Sequence, residues 1–91
     1  MKTLRLTIKG KVQGVFFRSN VSGKATELGI GGYVRNLGNG DVEMVVQGVE
    51  EQLAKLYRYI RSNPGASSIE KIESEKAKDI KEQFSSFEIR P

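Results

Sequence analysis

The 91-residue chain contains no cysteine and no histidine. Lacking cysteine, it has no disulfide framework and no thiol nucleophile, and the compartment to expect is the cytoplasm. Lacking histidine, it cannot build a Ser-His-Asp triad or a conventional zinc site. No apolar run approaches the roughly 20 residues needed to span a bilayer. Met1 to Gly10 alternates polar and apolar side chains, a strand pattern in place of a secretory signal. The charges are scattered, 15 basic against 11 acidic for a net +4, with no block of five or six. That mild bias disfavours nucleic-acid binding as the main function. Internal repeats, low-complexity tracts and linkers are absent as well, so residues 1–91 are expected to form one small domain with a single core.

What is present reads as alternating strands and helices. Thr3 to Lys9 places Leu4, Leu6 and Ile8 on one face of a half-buried strand. From Ser19 to Leu28 the apolar residues Val21, Ala25 and Leu28 recur at helical spacing, and Gly29 ends the helix. Gly32 to Leu37 and Asp41 to Gln47 form a hairpin around Asn39-Gly40, a pair that tolerates positive φ. Glu50 to Asn63 is the clearest helix, with Leu53, Leu56, Tyr57 and Ile60 in one stripe and Pro64-Gly65 as its stop. Ser68 to Ser74 suits a charged edge strand, and Ser86 to Arg90 a short last strand carrying Phe87 and Ile89. This order predicts an α+β, ferredoxin-like split β-α-β sandwich: an antiparallel sheet of four to five strands with two helices on one face.

The densest stretch is Gly10 to Arg18, Gly-Lys-Val-Gln-Gly-Val-Phe-Phe-Arg, between the first strand and the first helix. Two glycines let the backbone curl, and the helix start turns free N–H groups and a positive dipole end toward the curl. Arg18 adds a planar cation suited to gripping oxyanions. Together they predict an anion pocket, with phosphate the best candidate. One of Phe16 and Phe17 is expected to anchor the core while the other walls the pocket. Neither common nucleotide loop fits: Arg18 stands where a Walker A motif ending at Gly23-Lys24 would need its first glycine, and no Gly-x-Gly-x-x-Gly opens a helix. Asp41 to Gln47 lacks the exposed aromatics of an RNA-binding strand. A second cluster, Gly32-Tyr33-Val34-Arg35-Asn36, closes a strand just before the hairpin. Local turn hydrogen bonding is the ordinary use of an asparagine there. The amide can also hold a water without titrating, which matters beside a pocket with no histidine.

Both segments resemble the two signature regions of the acylphosphatases. Ile8, Gly10, Val12, Gln13, Gly14, Val15, Phe17 and Arg18 match the first, and Gly32, Tyr33, Val34, Arg35, Asn36, Gly40, Val42 and Gly48 the second, both without gaps. The resemblance implies hydrolysis of the carboxyl-phosphate bond of a small acyl phosphate, releasing a carboxylate and inorganic phosphate. It places the phosphoryl group on the loop of Gln13, Gly14, Val15, Phe16, Phe17 and Arg18, and gives Asn36 the attacking water. Lacking histidine and cysteine, such a site is expected to work without cofactor, metal or covalent intermediate, in a monomer with no membrane partner and no nucleic-acid partner.

Two positions depart from that pattern. Phe16 stands where many relatives have a small residue, which bears on substrate range and rate, and Asn39 where aspartate is common before Gly40. The competing readings are a phosphate- or carbamoyl-phosphate-binding domain of the same shape, as found inside larger carbamoyl-transfer proteins, and a nucleic-acid module. The presence of both Arg18 and Asn36 in a 91-residue chain favours the free enzyme over the binding domain, and binding that falls steeply with salt without acyl-phosphate hydrolysis would mark the nucleic-acid module.

Overall fold

Leu4, Leu6 and Ile8 alternate with polar residues, and the computed structural model, which describes residues 1–91, buries Leu6 and Ile8 in one core beneath a five-stranded sheet with the partly buried Leu4 packed against it. The elements are β1 (Lys2–Lys11), α1 (Phe17–Glu27), β2 (Gly31–Asn36), β3 (Val42–Gly48), α2 (Glu50–Arg61), β4 (Ser68–Lys76) and β5 (Phe87–Arg90). The sheet order is β4-β1-β3-β2-β5. β1 lies antiparallel to both β3 and β4, with Leu6 opposite Met44 and Ser74. β2 and β3 form the expected hairpin, in which the Leu37 N–H donates to the Asp41 carbonyl at 2.9 Å.

Phe17, Val21 and Ala25 of α1 and Leu53, Leu56 and Ile60 of α2 cover Ile8, Val34, Met44 and Val46 on one face of the sheet. An isolated 11-residue helix containing Gly23 would be marginal in water. Burying each large apolar side chain contributes about 1.5–3 kcal/mol, so packing holds α1 where propensity would not. No helix is long and apolar enough to cross a membrane.

The sheet is mixed, which corrects the antiparallel arrangement expected from the sequence. β5 runs parallel to β2, with Gly32 opposite Phe87 and Arg35 opposite Arg90. The path of residues 77–86 is the cause. β4 ends opposite Leu4, near the start of β1, and the chain then crosses the sheet face away from the helices. There the Ala77 N–H donates to the Thr3 carbonyl at 3.0 Å, Gln47 Nε2 donates to the Glu82 carbonyl at 3.0 Å, and the Phe84 N–H donates to Gln47 Oε1 at 2.9 Å. This strap delivers the chain to the start of β2, and β5 has to run alongside it. Arg90 therefore finishes at the end of the sheet where β1 and β2 also finish.

Element boundaries also move. β1 continues to Lys11 because it keeps pairing with β4 past a bulge at Lys9/Gly10, and β4 continues to Lys76 because it stays paired as far as Leu4. Gly10 adopts φ +129°, and a side chain there would run into the Ser68 carbonyl. Helix α1 begins at Phe17, two residues before Ser19.

Candidate active site

Val12, Val15 and Phe17 follow β1 and all bury their side chains in the core. The turn between them must lift Gly14 and Phe16 outward, and both take left-handed backbone, at φ +70° and +62°. Glycine adopts that conformation freely, whereas for phenylalanine it costs about 1–2 kcal/mol. Three donors hold the Phe16 carbonyl in place: Asn20 N–H at 3.2 Å, Asn20 Nδ2 at 2.7 Å and Ser19 Oγ at 3.1 Å. The Val15 carbonyl accepts from the Ala66 N–H at 3.2 Å, and a Cβ on Gly65 would lie 2.6 Å from that same oxygen. The turn is thus clamped between α1 and the loop before β4. Of the two phenylalanines, Phe17 is the core anchor and Phe16 is 78% exposed.

Because α1 starts at Phe17, Arg18 sits in its first turn, where backbone N–H groups have no intrahelical acceptor. No acidic residue lies in that turn. The half-buried Arg18 guanidinium makes one long hydrogen bond, from Nη1 to the Arg90 carbonyl at 3.4 Å, and no ion pair. A cleft of about 310 Å³ opens over it, lined by Val12, Gly14, Phe16, Phe17, Arg18, Ser19 and Ile89. A cation without a counter-charge beside a helix N-terminus is an arrangement that attracts anions.

The structure brings Gly14, Phe16, Phe17 and Arg18 of the expected loop to this cleft, and leaves two side chains out of it. Val15 points into the core. Gln13 reaches across to the β2–β3 hairpin, where Nε2 donates to the Leu37 carbonyl at 2.9 Å and the Asp41 carbonyl at 2.8 Å. Contact of either residue with a ligand would have to come through the backbone. Asn36 is not among the lining residues, yet it ends β2 two positions after the fully buried Val34 and so faces the helix side of the sheet. Its Oδ1 is buried and has no hydrogen-bond partner in the chain, an atom that calls for a donor.

Sequence reasoning assigned no site role to Ser19, Ile89 or the Arg90 carbonyl. Ile89 was placed on a short last strand with Phe87, and the parallel course of β5 is what brings it to this end of the sheet.

The carboxylates of the hairpin are already committed. Glu43 Oε1 accepts from Arg35 Nε at 2.7 Å and from the Tyr33 hydroxyl at 3.4 Å, and Arg5 Nε lies 3.6 Å from Oε2. The hydrogen bond to Glu43 raises Arg35 above the usual guanidinium range. Asp41 pairs with Lys9 Nζ at 2.9 Å, and that hydrogen bond raises the lysine above its ordinary value. Asn39, the departure from the family pattern, closes the turn: its Oδ1 accepts from the Asp41 N–H at 3.0 Å. These acids answer cations on the other side of the sheet, and none competes for Arg18.

Comparison with known proteins agrees with this geometry. The acylphosphatase family model matches residues 4–89. The acylphosphatase of Thiobacillus denitrificans is 40% identical over 90 residues, covering 99% of this chain and 98% of the relative. The crystal structure of acylphosphatase from Bacillus subtilis superposes with a TM-score of 0.93 at 26% identity, over the whole of both chains. Full-length HypF in its phosphate- and nucleotide-bound form contains a similar unit, with a TM-score of 0.84 at 29% identity, but this chain spans 12% of it. With the family model running through both signature segments and close relatives matched end to end, this chain belongs to the acylphosphatase family of enzymes.

Proposed function

We propose that the chain hydrolyses acyl phosphates by direct attack of an Asn36-oriented water on a phosphoryl group held by Arg18 and the backbone N–H groups of residues 13–18. The observation that carries this reading is the Arg18 guanidinium, half-buried at a helix start with no acidic partner in the chain. The unpartnered Oδ1 of Asn36 supplies the second group, an acceptor for a water proton. The water oxygen forms a bond to phosphorus as the bond from phosphorus to the acyl oxygen breaks. The bonding pair leaves with the carboxylate, and the water proton passes to the phosphate product. A carboxylate is a good leaving group and scarcely needs a proton, so positioning and charge stabilisation suffice. The groups invoked all come from one chain, so the proposed active unit is a monomer. We assign it to the cytoplasm, the default for a chain with no disulfide framework.

The test is hydrolysis of benzoyl phosphate in the presence of a chelator. Turnover is expected in the parent chain. Arg18→Ala should lose both phosphate binding and turnover. Asn36→Ala should keep phosphate affinity and lose about 100-fold or more in kcat, roughly 3 kcal/mol of barrier. Phosphate binding without turnover in the parent chain would favour a ligand-binding domain instead, and near-normal turnover in Asn36→Ala would remove the water-holding role.

A further inference from the structure

Four large apolar side chains are exposed in this chain, and two of them, Phe16 at 78% and Ile89 at 47%, stand in the same cleft as Arg18. Single exposed apolar residues are ordinary. These two come from opposite ends of the sequence and meet beside a free cation, which needs a reason. Phe16 cannot turn inward, because Val15 and Phe17 on either side of it already occupy the core. It keeps its ring in solvent on a left-handed backbone clamped by Ser19 and Asn20. A bulky residue held in a disfavoured conformation by its surroundings is a pattern found at ligand contacts. Ile89 stands on β5 two residues beyond the buried Phe87, so its side chain rises on the helix side of the sheet at the cleft wall. The cleft, at about 310 Å³, is at the lower end of the range for small-ligand sites.

We propose that Phe16 and Ile89 form an acyl subsite, which makes acyl phosphates with an apolar, and above all an aromatic, acyl group the preferred substrates. The inference rests on the hydrolytic reading above. A phosphoryl group seated at Arg18 leaves the acyl carbon and its substituent to lie along the rest of the same cleft. There the Phe16 ring can stack on an aromatic substituent, and Ile89 covers its far side. A methyl group fills little of this surface, and a carbamoyl group would desolvate its amide against two side chains that cannot hydrogen-bond.

The experiment compares kcat/KM for benzoyl phosphate and acetyl phosphate in the parent chain, Phe16→Gly, Phe16→Tyr and Ile89→Ser. Glycine suits φ +62° better than phenylalanine does, and Ile89 is half-exposed on an edge strand, so these variants should fold. The benzoyl-to-acetyl ratio cancels any general loss of activity. It is expected to fall by about tenfold or more in Phe16→Gly and about threefold or more in Ile89→Ser, chiefly through KM, and to be kept within about twofold in Phe16→Tyr. Turnover of both substrates at one ratio in all four proteins would overturn the acyl subsite and leave the hydrolytic reading intact. Failure of the parent chain to hydrolyse either compound would overturn the hydrolytic reading itself, and the subsite with it.

Discussion

Gln13 Nε2 donates to the Leu37 carbonyl at 2.9 Å and so ties the turn before α1 to the residue that follows Asn36. The same nitrogen donates to the Asp41 carbonyl at 2.8 Å, across the base of the hairpin. One amide therefore sets the distance between the proposed anion cradle and the proposed water holder. Gln13→Ala removes both bonds at a part-buried site, a loss of about 1–3 kcal/mol. A domain of this size would lose roughly 4–8 °C in Tm for each kcal/mol. The expected activity signature is a fall in kcat larger than the fall in phosphate affinity, because Arg18 and its helix stay in place. Equal losses in both would mean that Gln13 supports only the turn. Gln13→Glu should be worse than alanine, since it sets a carboxylate against two carbonyl oxygens.

Asn36→Asp separates charge from shape. The substitution keeps the size of the side chain and places an anion on the same face as the proposed phosphate cradle. Turnover is expected to fall about 100-fold or more, as in Asn36→Ala, but phosphate affinity should now fall as well. An unchanged phosphate Kd would place Asn36 too far from the cradle to act. In the parent chain kcat should vary little between about pH 5.5 and 8, because arginine side chains keep their charge there and no histidine or carboxylate lines the cleft. A bell-shaped profile centred near neutrality would reveal a general base outside this set.

The parts of the fold governed by local pattern were legible. Of the stripe Leu53, Leu56, Tyr57 and Ile60 all but the half-buried Tyr57 reach the core, and of Leu4, Leu6 and Ile8 the last two are buried in it while Leu4 packs against it. The curl of the loop was legible too, because Gly14 takes the positive φ that glycine allows and Arg18 falls at the helix start. The direction of β5 was not, since it depends on Gln47 catching the 77–86 strap through its side chain, a contact with no local signature. The start of α1 was misplaced for a related reason. Ser19 is a typical N-cap residue, but its hydroxyl donates back to the Phe16 carbonyl inside a helix that already began with the buried Phe17. The tie of Gln13 to the hairpin was not legible, because its two acceptors are backbone atoms more than twenty residues away.

Two glycines should respond to alanine in opposite ways. Gly32 has φ +137°, and a Cβ there would drive into the Val45 carbonyl within the β2–β3 pairing. Gly32→Ala is expected to cost about 3 kcal/mol or more through strain and overpacking together, read as a large drop in Tm. Gly14 has φ +70° with nothing within 4 Å of a Cβ. Gly14→Ala should cost only about 1–2 kcal/mol of backbone strain. Its larger effect should be on phosphate affinity, because the new methyl group enters the cleft. A Tm loss in Gly14→Ala equal to that in Gly32→Ala would contradict the open space at the turn.

Asp79 gives the acid limb of stability a defined contributor. Arg5 Nη1 and Nη2 donate to its two oxygens at 3.0 and 2.9 Å, anchoring the strap to β1. Those hydrogen bonds hold the Asp79 carboxyl below its usual range and raise Arg5. A carboxyl that binds its proton more weakly when folded stabilises the fold fully above its unfolded value, near pH ~3.9, and loses that contribution as pH falls through the lower folded value. The Asp79 side chain is 65% exposed, so solvent screens the pair and the effect is modest. Asp79→Asn is expected to lower Tm slightly at pH 6, with the gap to the parent chain closing as pH drops below about 4 and shrinking in high salt. Thermal melts of both proteins from pH 6 down to pH 2 decide it. A gap that stays constant over that range would show that the carboxylate charge contributes nothing, and that the strap is held by Gln47 and its backbone partners alone.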